Sequence, residues 1–196
     1  MPIASRSHTK LLEAFDETFR VSNHAGFRIK SLHVDPEFEL LYDAMIDNDI
    51  IIVPVPAQQH VPEIERTIKA VKERYRAAYY SLPFQAIPKV LIKALAKRVV
   101  KFLNMFPPKG GVCTHWSPCA IVTGKPLDYN INCVCPFGSF VQALNEPNPL
   151  NTPAPRSLDA IYLDANDETM AGGYKCMHLA SGKEITHHKV TPVPMA

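Results

Sequence analysis

The chain has only eight glycines in 196 residues, and none belongs to a signature that cradles phosphate or presents a nucleophile. No Gly-x-Ser-x-Gly elbow occurs, and neither glycine-rich phosphate fingerprint is present. These absences remove an elbow-type hydrolase, a Rossmann dinucleotide site and a P-loop nucleotidase from consideration. No run approaches the roughly 20 apolar residues of a membrane-spanning helix. No apolar stretch follows Arg6 and Lys10 as a secretory leader requires, so the reading is a soluble intracellular protein, nuclear or cytoplasmic, with no membrane partner. An excess of one charge is also missing: 21 Lys and Arg face 19 Asp and Glu, a net charge of +2. Any nucleic-acid footprint must therefore be local. The five cysteines, Cys113, Cys119, Cys133, Cys135 and Cys176, are odd in number and irregular in spacing. They read as free thiols in a reducing compartment. Cys133-x-Cys135 has no second pair to complete a structural zinc site.

Proline is abundant. Nine of the eighteen crowd into 54–62, 83–88 and 147–155, and because proline resists helix interiors and central strands these stretches separate elements. With 46% apolar and 20% charged residues the chain should fold. Residues 9–22 space Leu11, Leu12, Phe15 and Phe19 as a helix does, with Thr9 as N-cap. Phe27–Val34 alternates apolar and polar, which is a strand with one buried face. Residues 38–47 read as a second helix and Ile50–Val53 as a short apolar strand, giving an α/β beginning. Over 63–80 the helical wheel places Ile64, Ile68, Val71, Tyr75 and Ala78 on one side, which should be buried. Glu65, Lys69, Lys72 and Arg76 fall together on the other side, one carboxylate heading a basic stripe. A further helix runs from about Pro88 to Asn104, with Pro107-Pro108 beyond its end. After residue 107 the texture turns to short strands at 137–143, 160–163, 173–179 and 184–188, with Ser181-Gly-Lys183 as a hairpin turn. Residues 145–157 read as a loop.

Among residues able to do chemistry, His60, His115 and the His187-His188 pair have no partners at ligand spacing. Carboxylates remain. Asp35 follows a strand, where its side chain can project from a rigid edge, and Glu65 lies near the start of the amphipathic helix. Brought together, the two would supply hard oxygen ligands for Mg²⁺. A carboxylate after a strand is, however, more often a cap, and a polar helix face is more often only solvated.

Val34-Asp-Pro-Glu-Phe38, His60-Val-Pro-Glu-Ile-Glu-Arg66 and Lys72-Glu-Arg74 together resemble the second half of a copia-type retrotransposon integrase core. The likeness continues through Leu82-Pro-Phe84, Leu103-Asn-Met-Phe-Pro107, Ser117-Pro118, Thr123-Gly-Lys125 and Phe137-Gly138. Gly172-Gly-Tyr174, Ser181-Gly182 and Thr191-Pro192 extend it almost to the end. In that family an aspartate after a strand is followed by a Glu-Phe pair, and the last catalytic glutamate precedes an arginine at the head of a long helix. Asp35 thus matches the second acidic residue of the family's Asp, Asp, Glu triad. Glu65, followed by Arg66, matches the third better than Glu63 does. The first aspartate and the zinc-binding His and Cys module have no counterpart here, since Asp16 lies within a helix.

The resemblance implies an α/β fold: a partial RNase H-like core at 9–106, a linker at 107–135 and a small antiparallel β-barrel-like region at 136–194. It implies Mg²⁺- or Mn²⁺-dependent processing and joining of DNA ends, with Asp35 and Glu65 as catalytic metal ligands. Arg66, Lys69, Lys72 and Arg76 would lie along DNA, and the chain could form homo-oligomers as integrases do. The sequence leaves open a non-catalytic nucleic-acid-binding module and a decayed fragment of an element.

Overall fold

The computed structural model describes residues 7–34, 50–55, 62–145, 155–166 and 172–194, with 38, 42 and 153 singly. The expected helix at 38–47, most of the 145–157 loop, Asp35, His60 and the side chain of Glu63 lie outside the described residues. Two compact units are formed, one from Met1–Lys69 with Ile121–Gly124, the other from Ala70–Ala120 with Lys125–Ala196.

In the first unit, α1 spans His8–His24 and closes on Gly26, whose φ of 81° suits a residue without a side chain. Strands β1 (Ser31–Val34) and β2 (Ile51–Pro54) pair in parallel, Ser31 opposite Ile51 and Val34 opposite Pro54. Val34, Ile50 and Val55 are buried, whereas Ile51 remains 65% exposed. The expected strand from Phe27 shortens to four residues, since only these have a partner strand to bond.

A 19-residue helix, α2 (Pro62–Tyr80), then continues from the first unit into the second. It is unbroken, as its periodicity requires. Its apolar side is not buried as expected: Ile64 and Ile68 are 48% and 47% exposed, while Val71, Tyr75 and Ala78 are intermediate. Amphipathic spacing specifies a face that can be buried, but supplies no surface to cover it.

The second unit is built on α3 (Lys89–Met105) and a five-stranded antiparallel sheet. In the chain, two short helices follow α3 before the first strand of the sheet: α4 (Pro118–Thr123), whose last three residues count with the first unit, and α5 (Tyr129–Asn132). The strands are β3 (Phe140–Leu144), β4 (Ser157–Ala165), β5 (Tyr174–His178), β6 (Glu184–His187) and β7 (Val190–Pro192). Their order is β6-β5-β4-β3-β7, a meander whose first strand takes the last on its free edge. Consecutive strands β6 and β7 therefore occupy opposite edges. A flat sheet would hold those edges about 19 Å apart, at ~4.8 Å per step. The three-residue step from His187 to Val190 reaches only about 11 Å, so the sheet must curl on itself. All five strands accordingly feed one interior cluster: Val141, Ala143, Ala160, Tyr162, Cys176 and Val190 are buried, with Ile185 of β6 packed against them. The curl stops short of the expected barrel-like closure. Among the described residues β6 and β7 do not pair, and the sheet is open.

Its outer face is covered by α3. Leu91 packs with Ile161, Leu163 and Met177, and Phe84, Ile87 and Phe137 fill the margin. Strand β4 is thus buried on both sides, which is why it reads as an apolar run rather than a clean alternation. Gly173 carries φ of 104°, and a Cβ there would sit 2.9 Å from the His187 carbonyl oxygen, so β5 can begin this close to the end of β6 only from a glycine.

Candidate nucleic-acid interface

Helix α2 presents the residues singled out by the resemblance. Glu65, Arg66, Lys69, Lys72 and Arg76 are all exposed. At 100° per residue Glu65, Lys69, Lys72 and Arg76 fall within a sector of about 60°, and Lys69 to Arg76 spans about 10 Å of rise. Duplex DNA carries one phosphate per ~3.4 Å of axis on each strand, so this length meets about three of them. Glu65, Arg66 and Lys69 each have a further interaction within the structure, so the row is an organised surface rather than a set of free charges. Strand β1 ends at Val34, the residue before Asp35, and Glu65 begins the exposed face of α2. The distance between those two carboxylates falls outside the described residues. Among the described residues no three His, Cys, Asp or Glu side chains converge on a common point.

The second polar constellation, which the sequence did not reveal, lies in the sheet-bearing unit. Leu163 is an extra residue in β4, where the pairing with β5 shifts between Tyr162 and Asp164. At this bulge the buried Arg98 Nη1 donates to the Leu163 carbonyl at 3.0 Å and to Asp164 Oδ1 at 2.9 Å. Lys101 Nζ approaches Asp164 Oδ2 and donates to the Ala165 carbonyl, both at 3.3 Å. The Ala165 amide donates to Asp164 Oδ1 at 2.9 Å. Arg98 stacks over the Phe102 ring, 4.5 Å from its centroid, and lies 5.3 Å from that of Tyr162. The guanidinium faces the Tyr162 ring, and Tyr162 Oη is buried with no hydrogen-bond partner among the described residues. This cluster fastens α3 to β4. Its role is architectural.

Burial pushes the Tyr162 phenol up to about 12, against the pull of Arg98. It likewise pushes the Cys135 thiol up to about 11 and the Cys176 thiol up to about 12. These three groups keep their protons in the folded state while the unfolded chain loses them first. Their contribution is intact below pH ~9 and is lost as pH rises through 11 and 12, by up to about 1.4 kcal/mol per pH unit for each group. Denaturant unfolding under reducing conditions should show stability level from pH 7 to 8.5 and falling above pH 9, with the fall above pH 10 less steep in Tyr162→Phe. A flat profile to pH 10.5 would contradict the burial of these groups. Cys113 is shifted the other way, because the His115 and Trp116 amides, each 3.4 Å from its sulfur, stabilise the thiolate. Cys133 is exposed and Cys135 buried, so they do not share surroundings as metal ligands would.

No family model matches the chain, and no curated protein matches it. No described helix is long and apolar enough to cross a membrane. Sequence reasoning named the α2 row but missed Arg98, Lys101 and Asp164. A detectable signal was the absence of any acid over the 17 residues of α3, which leaves its five cations to find partners elsewhere.

Proposed function

We propose that this chain is a nucleic-acid-binding protein derived from a copia-type integrase, gripping the phosphate backbone through the basic face of α2. The observation that carries this reading is the exposed row Lys69, Lys72 and Arg76 on one continuous helix. A parallel strand pair ending just before Asp35, followed by a long helix headed by Glu65-Arg66, supports the finer proposal of a partial RNase H-like core. In that scheme Asp35 and Glu65 would hold Mg²⁺ or Mn²⁺, and such an ion would supply charge stabilisation for a phosphoryl displacement. Of these two ligands the described residues include only Glu65, so they do not make up a donor set. Arg66 orients the glutamate or meets a phosphate.

Backbone contacts of this kind carry no sequence information, so binding should be weak and indifferent to sequence. Fluorescence anisotropy on unrelated duplexes tests this. Similar affinities, all reduced in Lys69→Ala/Lys72→Ala/Arg76→Ala and unchanged in Cys133→Ala, are expected. The 196-residue chain by itself matches only two of the three family carboxylates. It should therefore bind duplex ends without joining them in Mg²⁺ or Mn²⁺. Robust strand transfer by this chain, abolished in Glu65→Gln, would show that two carboxylates suffice.

A further inference from the structure

Helix α3 carries five cations and no acid from Lys89 to Met105. Two of them, Arg98 and Lys101, turn to the sheet and share Asp164. The other three, Lys89, Lys93 and Lys97, are exposed, on the side away from the buried Leu91, Leu95 and Val99. Steps of four residues rise ~6 Å and turn ~40° beyond a full circle, so the three ammonium groups form a slowly winding ridge about 12 Å long. Among the described residues none of the three is in an ion pair. Like charges at this spacing repel one another, and those near the helix start also oppose its macrodipole. Nothing described on the helix offsets that repulsion; a polyanion would.

We propose that this ridge is a second binding surface for the phosphate backbone of duplex nucleic acid, carried wholly by the unit that holds the sheet. A row ~12 Å long faces about three to four phosphates of one strand at ~3.4 Å each. Lysine, a compact point charge on a flexible stem, meets phosphates without demanding a fixed geometry. The Arg98 clamp and the Leu91 packing hold α3 rigidly on β4, so the ridge is presented as a fixed line of charge. An anionic membrane is the poorer fit. Interfacial helices set large apolar side chains against the lipid, whereas Leu91 and Leu95 face the protein core and the outer side bears Ala96, Val100 and Asn104. This surface has the same class of partner as the α2 row but none of its residues, so either can fail alone.

The test is the salt dependence of duplex binding by the full chain. Four proteins are compared: the unaltered chain, Lys89→Gln/Lys93→Gln/Lys97→Gln, the α2 triple alanine variant, and the two sets combined. The α3 variant should flatten the slope of log K against log salt by about 2.7, at ~0.9 per contact, on any duplex sequence. Its melting temperature should not fall, since the three side chains are exposed and neutralising them relieves their mutual repulsion. An unchanged slope in the α3 variant overturns the proposal, even where the α2 variant flattens it. Flattening in the α3 variant alone supports it and counts against the α2 reading. Vesicles rich in phosphatidylserine supply the remaining arm. Vesicle binding lost in the α3 variant, with duplex binding intact, would overturn the choice of partner.

Discussion

Arg98→Ala is expected to destabilise the sheet-bearing unit by about 3 kcal/mol, the lower end of the range for breaking a buried ion pair. Arg98 is only 8% exposed and is bonded to both the Leu163 carbonyl and Asp164. Truncation removes both bonds and the stacking on Phe102, and leaves the bulge carbonyl without its donor. Lys101 still approaches Asp164 at 3.3 Å, which keeps the loss from the upper end of that range. Lys101→Ala should cost less than about 1 kcal/mol, because Asp164 retains Arg98 and the Ala165 amide and Lys101 is partly solvated. Denaturant unfolding of the two variants decides the matter. A loss below about 1 kcal/mol for Arg98→Ala would mean that α3 is held on β4 by apolar packing alone.

Helices α1 to α3 were legible because their signals are local. Pro88 ahead of α3 and Pro107-Pro108 behind it bound it to within a residue or two. Strands β3 to β6 were legible as short apolar segments set between turns, the Ser181-Gly-Lys183 turn among them. Strand β7 was not, since Val190-Thr-Pro192 is too short to alternate and exists by pairing with β3. Helix α4 had a readable start: Ser117 accepts from the Ala120 amide at 3.1 Å ahead of Pro118, a Ser-Pro opening that lay inside the supposed linker. Nothing local joins Arg98 to Asp164, 66 residues away, and a β-bulge leaves no mark on the hydrophobic pattern. For the candidate interface, periodicity identified which residues of α2 share a face. It could not say that Ile64 and Ile68 would stay half-exposed, because that depends on what packs against them.

The largest functional effect is expected from the α2 row. Three phosphate contacts release about 0.9 counterion each, so removing them should lower duplex affinity by up to about 500-fold at ~0.1 M salt. Between about 50 and 200 mM salt the same three contacts account for roughly a 40-fold change in affinity. Charge-neutral changes elsewhere, such as Cys133→Ala, release no counterions and should leave both figures alone. Because Lys69, Lys72 and Arg76 are exposed, the loss should come without a change in melting temperature.

The measurement that tests the account most directly is therefore the salt titration of duplex DNA binding for the unaltered chain beside Lys69→Ala/Lys72→Ala/Arg76→Ala. Binding through α2 predicts that the slope of log K against log salt flattens by about 2.7 in the variant, to the same extent on unrelated sequences. Superimposable titrations of the two proteins, or no binding by the unaltered chain at about 50 mM salt, would contradict it.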